Sequence, residues 1–324
     1  MMKAVQVHKT GGPEVLALEN VAIPEPGAGE IRIRHTAIGL NFIDVYFRSG
    51  LYPAPQLPFT PGNEGAGVIS AIGSDVDGLK IGDRVAYAAT IGSYAQERII
   101  AADRVVRIPE GISDTVAASV MLKGMTAQFL LRRTYKVQPG QTILFHAAAG
   151  GVGQIAVQWA KHLGASVIGT AGGPEKCALA KSLGCDHVID YRTENFVERV
   201  KEVTGGKGVS VVYDSVGKDT FPGSLDCLET FGTWVSFGNS SGPVDSFSIG
   251  ILSQKGCLYA TRPTLFTYIA RRADLEASAA DLFGVLRDGH VVVPEPRTYR
   301  LADVAQAHRD LEGRKTTGSS VLIP

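Results

Sequence analysis

Phe145-His146-Ala147-Ala148-Ala149-Gly150-Gly151-Val152-Gly153 is the stretch on which the reading of this chain turns. An apolar run, Thr142 to Phe145, leads into it and a helical pattern opens near Gln154. Strand, glycine-rich turn and helix in that order form a variant of G-x-G-x-x-G, with Ala148 at the first glycine, Gly150 at the second and Gly153 at the third. Gly150 lets backbone approach a pyrophosphate, and Gly153 permits close helix-to-strand packing. The helix N-terminus offers N–H groups to the anion. Ala149, Gly151 and Val152 complete the candidate binding turn.

Working outward, strands are expected at Thr142 to Phe145, Ser166 to Gly169, His187 to Asp190, Val209 to Tyr213, Thr233 to Phe237 and Cys257 to Ala260, with helix-length segments between them. Six strands alternating with helices predict a doubly wound parallel sheet of Rossmann type, assigned to residues 123–262. The glycine turn follows the first of these strands, where that fold places dinucleotides. After the second strand an NAD enzyme usually carries an acid for the ribose 2′-hydroxyl. Here Ala171-Gly172-Gly173-Pro174-Glu175-Lys176 follows instead. Small residues leave room for a 2′-phosphate, Lys176 adds a cation, and Tyr191-Arg192 after the third strand adds a ring face and a second charge. The expected cofactor is NADPH, with Glu175 facing solvent at a helix start.

Residues 1 to about 110 have a different rhythm. Short extended runs at Ala4 to Val7, Val15 to Ile23, Ile31 to Ile38, Gly67 to Ile72, Arg84 to Ala88 and Ala95 to Ile108 are punctuated by Gly and Pro, as in a small β-barrel or sandwich. Ser113-Asp114-Thr115 offers caps to a helix reaching Leu131. Beyond Pro263 a helical region, Leu265 to Arg287, is followed by an extended segment, Val291 to Pro296, a helix around Asp303 to Glu312 and a strand, Ser319 to Ile323. That tail is expected to return to the N-terminal domain, giving a discontinuous substrate domain of residues 1–122 plus 263–324.

The 324 residues hold 32 Lys+Arg and 32 Asp+Glu, so no net field gathers nucleic acid or an anionic membrane. The basic pairs Arg132/Arg133, Arg271/Arg272 and Arg314/Lys315 read as solvated faces. No stretch approaches the roughly 20 apolar residues of a membrane span. No signal-peptide pattern opens the chain, so a cytoplasmic protein is expected. The four cysteines, Cys177, Cys185, Cys227 and Cys257, form no CxxC pair and read as reduced thiols packed as small hydrophobes.

Further blocks carry a resemblance: Gly39-Leu40-Asn41-Phe42-Ile43-Asp44, Arg48-Ser49-Gly50-Leu51-Tyr52-Pro53, Pro61-Gly62-Asn63-Glu64-Gly65-Ala66-Gly67, Leu122-Lys123-Gly124-Met125-Thr126-Ala127 and Lys315-Thr316-Thr317-Gly318-Ser319. Together with the Ala147 to Gly153 loop they span the chain. It resembles the quinone oxidoreductase branch of the medium-chain dehydrogenase/reductase superfamily, the zeta-crystallin-like enzymes. The resemblance implies a GroES-like β-barrel domain beside the Rossmann domain, and an NADPH:quinone reductase with the quinone in the interdomain cleft. Zinc alcohol dehydrogenases of that superfamily hold catalytic metal with a Cys and a His at positions that here are Asn41 and Asn63. A zinc site needs Cys, His or carboxylate ligands, so no metal is expected. Without a Lewis acid the acceptor must already be electrophilic, as a quinone is; an activated alkene also fits, making an enone or alkenal reductase the alternative.

Site candidates follow from these blocks. Asn41 is placed at the nicotinamide ribose or an acceptor oxygen, and Tyr46, Tyr52 and Arg262 at the acceptor cleft. The resemblance makes Thr126 a nicotinamide contact, with Lys123 one helical turn before it, and brings Phe237, Gly238 and Ser240 to the nicotinamide side. Lys315 and Gly318 would close over the cofactor. None is a convincing acid or base, so protons come from water and catalysis from positioning. Gly238-Asn239-Ser240-Ser241-Gly242 matches the G-x-S-x-G nucleophile elbow literally, but Pro243 follows and no helix is expected there. His146 and His308 read as packing or capping residues. The sixth strand reads as an exposed edge suited to a homodimer. A nucleotide-holding or RNA-binding protein is a third reading, disfavoured by neutral charge.

Overall fold

The computed structural model describes residues 1–313 and 315–324; Arg314, one half of the basic pair Arg314/Lys315, lies outside the described residues. The chain divides into a β unit, Met1–Lys123 with Ala270–Phe283 and Pro294–Pro324, and a Rossmann unit, Gly124–Ile269 with Gly284–Val293.

The β unit opens with strands β1 (Met2–Val7), β2 (Leu16–Val21), β3 (Glu30–Leu40), β4 (Glu64–Ile72), β5 (Arg84–Ala88), β6 (Glu97–Ala101) and β7 (Val106–Arg107). Helix α1 (Phe42–Ser49) separates β3 from β4, and α2 (Asp114–Phe129) starts where Ser113 Oγ accepts the Val116 N–H at 3.1 Å. The expected single run from Ala95 to Ile108 is broken, because a 3-10 turn at Ala102–Arg104 separates β6 from β7.

The Rossmann unit adds β8 (Thr142–Phe145), α3 (Gly151–His162), β9 (Ser166–Ala171), α4 (Pro174–Ser182), β10 (His187–Asp190), α5 (Phe196–Val203), β11 (Val209–Asp214), α6 (Gly223–Asp226), β12 (Leu228–Ser236), α7 (Gly250–Gln254) and β13 (Tyr259–Thr261). The chain continues through α8 (Leu265–Tyr268) and α9 (Arg272–Arg287) to β14 (Arg297–Arg300), α10 (Val304–Glu312) and β15 (Ser320–Ile323).

The six Rossmann strands lie in the order β10-β9-β8-β11-β12-β13, all parallel. The reversal of order falls at β8, so the turn after it opens at the topological switch point. Leu144, Ile168, Ile189, Val200, Val212 and Leu225 form its core. Two strand bounds differ from the sequence expectation for local reasons. Cys257 has φ +54° after Gly256 at φ +116°, so β13 cannot start before Tyr259; β12 starts early, at Leu228, and is kinked by Phe231 at φ +64°.

In the β unit, β15 pairs antiparallel with β3 and parallel with β14, and the sheet runs β14-β15-β3-β4-β5-β7 with β6 also on β3. This path is open, and β1 and β2 form a separate ribbon. Alternation drives the pairing: Ile31 and Ile33 on β3 are buried with Ile69, Val85, Tyr87 and Ile100. Of the four thiols, Cys185 and Cys227 are buried and pushed up to about 12 by that burial. Cys257 is exposed, so it is not the packed small hydrophobe expected, because the positive φ turns it out of the strand.

His35 is buried on β3, with Nδ1 2.7 Å from the Ala95 carbonyl and Nε2 2.7 Å from Tyr87 Oη. Burial, followed by the nearby Arg98 charge, lowers it to about 4 from 6.5, outweighing the Ala95 hydrogen bond. Above 6.5 the imidazole is neutral in both folded and unfolded chains. As pH falls toward 4 the unfolded chain takes up a proton that the folded one refuses, so stability drops. Between pH 7 and pH 5 this costs about 2 kcal/mol. Denaturant melts at those two pH values should show His35→Gln losing about 2 kcal/mol less than the parent over the interval.

Candidate functional site

In the Rossmann unit the glycine turn is shaped by close backbone approach. A Cβ on Gly153 would lie 2.4 Å from the Ala147 carbonyl oxygen and 2.6 Å from that of Ala148, so the α3 N-terminus closes on the turn itself rather than on the strand. A Cβ on Gly150 would meet Ala147 O at 3.0 Å. Gly150 caps α3 in an extended conformation, leaving the first-turn N–H groups of Gly151, Val152 and Gly153 without intrahelical acceptors. Ala148 at the first glycine position is accommodated from the next strand: a Cβ on Gly169 of β9 would lie 2.8 Å from the Ala148 methyl.

A buried polar chain holds that turn from behind. Ala147 has φ +54° and donates its N–H to Thr170 Oγ1 at 3.3 Å. His146 Nδ1 lies 3.0 Å from the same hydroxyl and Nε2 3.1 Å from Ser224 Oγ, which donates to Asp214 Oδ2 at 2.8 Å. Burial lowers His146, with the Asp214 charge opposing it. Burial alone would raise Asp214, but His146, the Thr220 and Ser224 hydroxyls and the Val216 N–H together hold it below the usual carboxylate value. His146 is therefore a member of the scaffold, as its packing reading had it.

At the end of β9, Tyr191 and Arg192 lie directly over the glycine pair. A Cβ on Gly172 would sit 2.4 Å from Tyr191 Oη and 3.2 Å from Arg192 Nε, and one on Gly173, whose φ is +88°, 2.9 Å from Arg192 Nη1. Asp190 organises the group, its Oδ1 accepting the Gly173 N–H at 3.0 Å and the Arg192 N–H at 3.1 Å. Sequence reasoning missed Asp190, although an Asp ending a strand two residues before Arg is the signature of an Asx turn. Lys176 is half-buried in the first turn of α4, and Glu175 is exposed there.

After β12 the Gly238–Gly242 segment is fastened as a loop. Phe237 N–H donates to Asp214 O at 2.7 Å, Ser240 N–H to Ser215 O at 3.2 Å and Ser241 N–H to Val216 O at 3.0 Å. α7 does not begin until Gly250, so no strand-turn-helix elbow exists at Ser240. Arg262 donates to the Ser236 carbonyl at 2.9 Å, beneath the same loop. Phe237, Gly238, Ser240 and Arg262 are thus brought together, and the Phe237 ring packs 5.9 Å from Phe145. Thr126 is buried on α2.

In the β unit, Asn41 caps α1, its N–H donating to Asp44 Oδ2 at 2.8 Å. Its Nδ2 donates to Glu64 Oε2 at 2.8 Å, and the Leu122 N–H donates to Glu64 Oε1 at 2.7 Å. Lys123 Nζ donates to the Leu40 carbonyl at 3.2 Å and stands 3.5 Å from Glu64 Oε2. Glu64 has no exposure; burial raises its carboxyl, with Lys123 opposing most strongly. Glu64 is the functional candidate the sequence reading did not single out, although an acid among small residues in Pro61–Gly67 signals a buried charge in need of partners. Asp44 is pushed by burial to about 7, against the Tyr94 hydroxyl that donates to it at 2.8 Å. Tyr46 and Tyr52 pack edge-to-face with centroids 5.1 Å apart. Asn63 donates to the Ala89 carbonyl at 2.9 Å. Lys315 is exposed after α10, its N–H donating to Asp310 O at 2.9 Å, and Gly318 has φ +80°. His308, lowered to about 3 by burial and then by the Arg48 charge, sits between Arg48 and Tyr94. Among the described residues no group of three or more His, Cys, Asp or Glu is arranged to hold a metal ion.

A Rossmann unit joined to a GroES-like sheet is the architecture of medium-chain dehydrogenases and reductases. Residues 27–110 match the family model for the alcohol dehydrogenase GroES-like domain, and residues 151–283 that for zinc-binding dehydrogenase. The chain is 53% identical to a quinone oxidoreductase of Pseudomonas aeruginosa, covering 100% of both. It is 43% identical to a 2-haloacrylate reductase of Burkholderia sp, covering 100% of this chain and 99% of that one. The crystal structure of Escherichia coli quinone oxidoreductase complexed with NADPH superposes with a TM-score of 0.97 at 50% identity, over 99% of this chain and 100% of that one. This chain belongs to the quinone oxidoreductase family.

Two substitutions test the dinucleotide geometry. Gly153→Ala forces a Cβ against two carbonyl oxygens and should lower stability by about 1–3 kcal/mol in denaturant melts. Arg192→Gln should weaken NADPH binding by roughly 10- to 100-fold in a fluorescence titration while leaving NADH binding unchanged.

Proposed function

We propose that this chain is an NADPH-dependent quinone reductase that works without a metal. The observation that carries the cofactor reading is the end of β9, where Gly172 and Gly173 let Tyr191 and Arg192 pack directly against the backbone and no acid follows Ala171. A 2′-phosphate there meets a guanidinium, with Lys176 in the adjoining helical turn. The first turn of α3 binds the pyrophosphate through Gly151, Val152 and Gly153 N–H groups, and the Ala149–Gly150 backbone gives it close access. Phe237, Gly238 and Ser240 border the nicotinamide, with Arg262 securing their loop, and Thr126 contacts the same ring. Lys315 and Gly318 are assigned to the cofactor by family resemblance.

Bound NADPH supplies the hydride, and the protein's part is to position it, because no residue offers firm acid or base chemistry. Asn41 and Asn63, standing where zinc relatives carry ligands, are amides already bonded to Glu64 and to Ala89 O. That donor set supports a metal-free mechanism, and it suits an acceptor already electrophilic. The Tyr46–Tyr52 pair offers aromatic faces to a planar quinone.

The Burkholderia relative favours a second reading, reduction of an activated alkene. We also assign the chain to the cytoplasm; no helix among the described residues is long and apolar enough to cross a membrane. β13, at the end of the Rossmann sheet with all three residues exposed, is proposed to pair with a second copy in a homodimer.

NADPH oxidation by the chelator-treated protein with 1,4-benzoquinone, 9,10-phenanthrenequinone and an enone panel tests the activity. Quinone turnover, faster with NADPH than NADH, is expected; enone turnover alone would transfer the assignment to the second reading, and a requirement for zinc would overturn the metal-free mechanism. Size-exclusion chromatography with light scattering should give twice the chain mass, and a monomer mass would sink the dimer.

A further inference from the structure

Glu64 has no solvent exposure and sits among obligate donors. The Leu122 peptide N–H and the Lys123 ammonium can only donate, and they face Oε1 and Oε2 respectively, at 2.7 and 3.5 Å. So loaded, the carboxylate acts as an acceptor toward its third partner, Asn41 Nδ2, at 2.8 Å. An asparagine amide is nearly symmetric in shape, and only its partners decide which end points where. Asn41 is fixed by the α1 capping box as well: its N–H donates to Asp44 Oδ2, and its side-chain oxygen faces the Asp44 N–H. The surroundings are built to seat this carboxylate: a Cβ on Gly39 would lie 2.3 Å from Glu64 Oε2.

We propose that Glu64 is a positioning residue that, with the Asp44 N–H of the capping box, sets the polarity of Asn41, holding its amino end so that the remaining lone pair of Oδ1 is presented to a bound molecule as an acceptor for a hydroxyl. This deepens the proposed function and rests on it for the ligand, a hydroxyl of the dinucleotide ribose. In Glu64→Gln the side-chain oxygen keeps the Leu122 N–H and the new amino group faces Asn41, which must then turn its oxygen inward. In the double variant Glu64→Gln/Asn41→Asp, the amide introduced at position 64 donates to the new carboxylate at position 41, whose second oxygen is again an outward acceptor, and the total charge is unchanged. A purely structural role for the buried ion pair predicts no such rescue.

The test measures NADPH affinity by cofactor fluorescence and kcat/KM with 1,4-benzoquinone for the parent, the single and the double variant, with melting temperatures recorded for all three. Glu64→Gln should lose roughly 10- to 100-fold, and the double variant should return to within about fivefold of the parent. Loss in NADPH affinity in the single variant, carried through into kcat/KM, is the expected outcome. If the parent binds NADPH but turns over no quinone, the functional reading fails while the affinity comparison still decides this one. A single variant with the parent's NADPH affinity, or a double variant no better than the single, overturns the proposal. Should Glu64→Gln not fold, neutron diffraction from the perdeuterated parent decides: deuterium on the Asn41 atom facing Glu64 is required, and an oxygen there refutes it.

Discussion

A carboxylate removed from water must find donors, and in the β unit the fold is arranged around that demand at Glu64. Effective desolvation costs run to several kcal/mol per ion even after relaxation. Here they are offset by a peptide N–H from α2, an ammonium from the same helix and an amide from the cap of α1. Four separate segments are thereby fixed with respect to one another: the end of β3, the start of α1, the first residue of β4 and the Leu122–Lys123 turn of α2. Replacing such a pair with apolar residues often leaves stability unchanged. Orientation of polar groups is what an apolar replacement cannot supply, and Asn41 is oriented twice over, through its side chain and its backbone.

The Rossmann unit solves a parallel problem with neutral groups. The turn after β8 carries a non-glycine residue, Ala147, at positive φ and an alanine where glycine is usual. Both departures are compensated by neighbours. Thr170 Oγ1 accepts the Ala147 N–H, His146 bridges that hydroxyl to Ser224, and Gly169 supplies the volume that the Ala148 methyl takes. The strained turn persists because its surroundings over-determine it. His146 is thus buried for a reason unconnected with proton transfer.

Much of this was legible in the chain. The alternation of strand and helix patterns, the glycine turn and the absent acid after Ala171 are local, and each survives in the structure: β8, α3 and the Gly172–Gly173 pair at the end of β9 lie where the pattern put them. What escaped depends on partners far along the chain or on single dihedral angles. β14 has no alternation of its own and exists because β15 lies beside it. The late start of β13 follows from one positive φ at Cys257. The place of Lys123 on a helix was visible, whereas its bonds to Leu40 O and Glu64 reach back 83 and 59 residues along the chain and were not.

The placement of β15 has a consequence for how the protein is made. β3 emerges early in synthesis, yet one of its neighbours is formed by residues Ser320–Ile323, so part of its edge waits unpaired until nearly the whole chain has left the ribosome. The Rossmann strands, by contrast, are contiguous between Thr142 and Thr261 and can pair as they appear. An early strand with a late partner is a site where chaperones or neighbouring nascent chains compete for the same hydrogen bonds. The speed of translation through the Rossmann segment therefore sets how long that competition lasts.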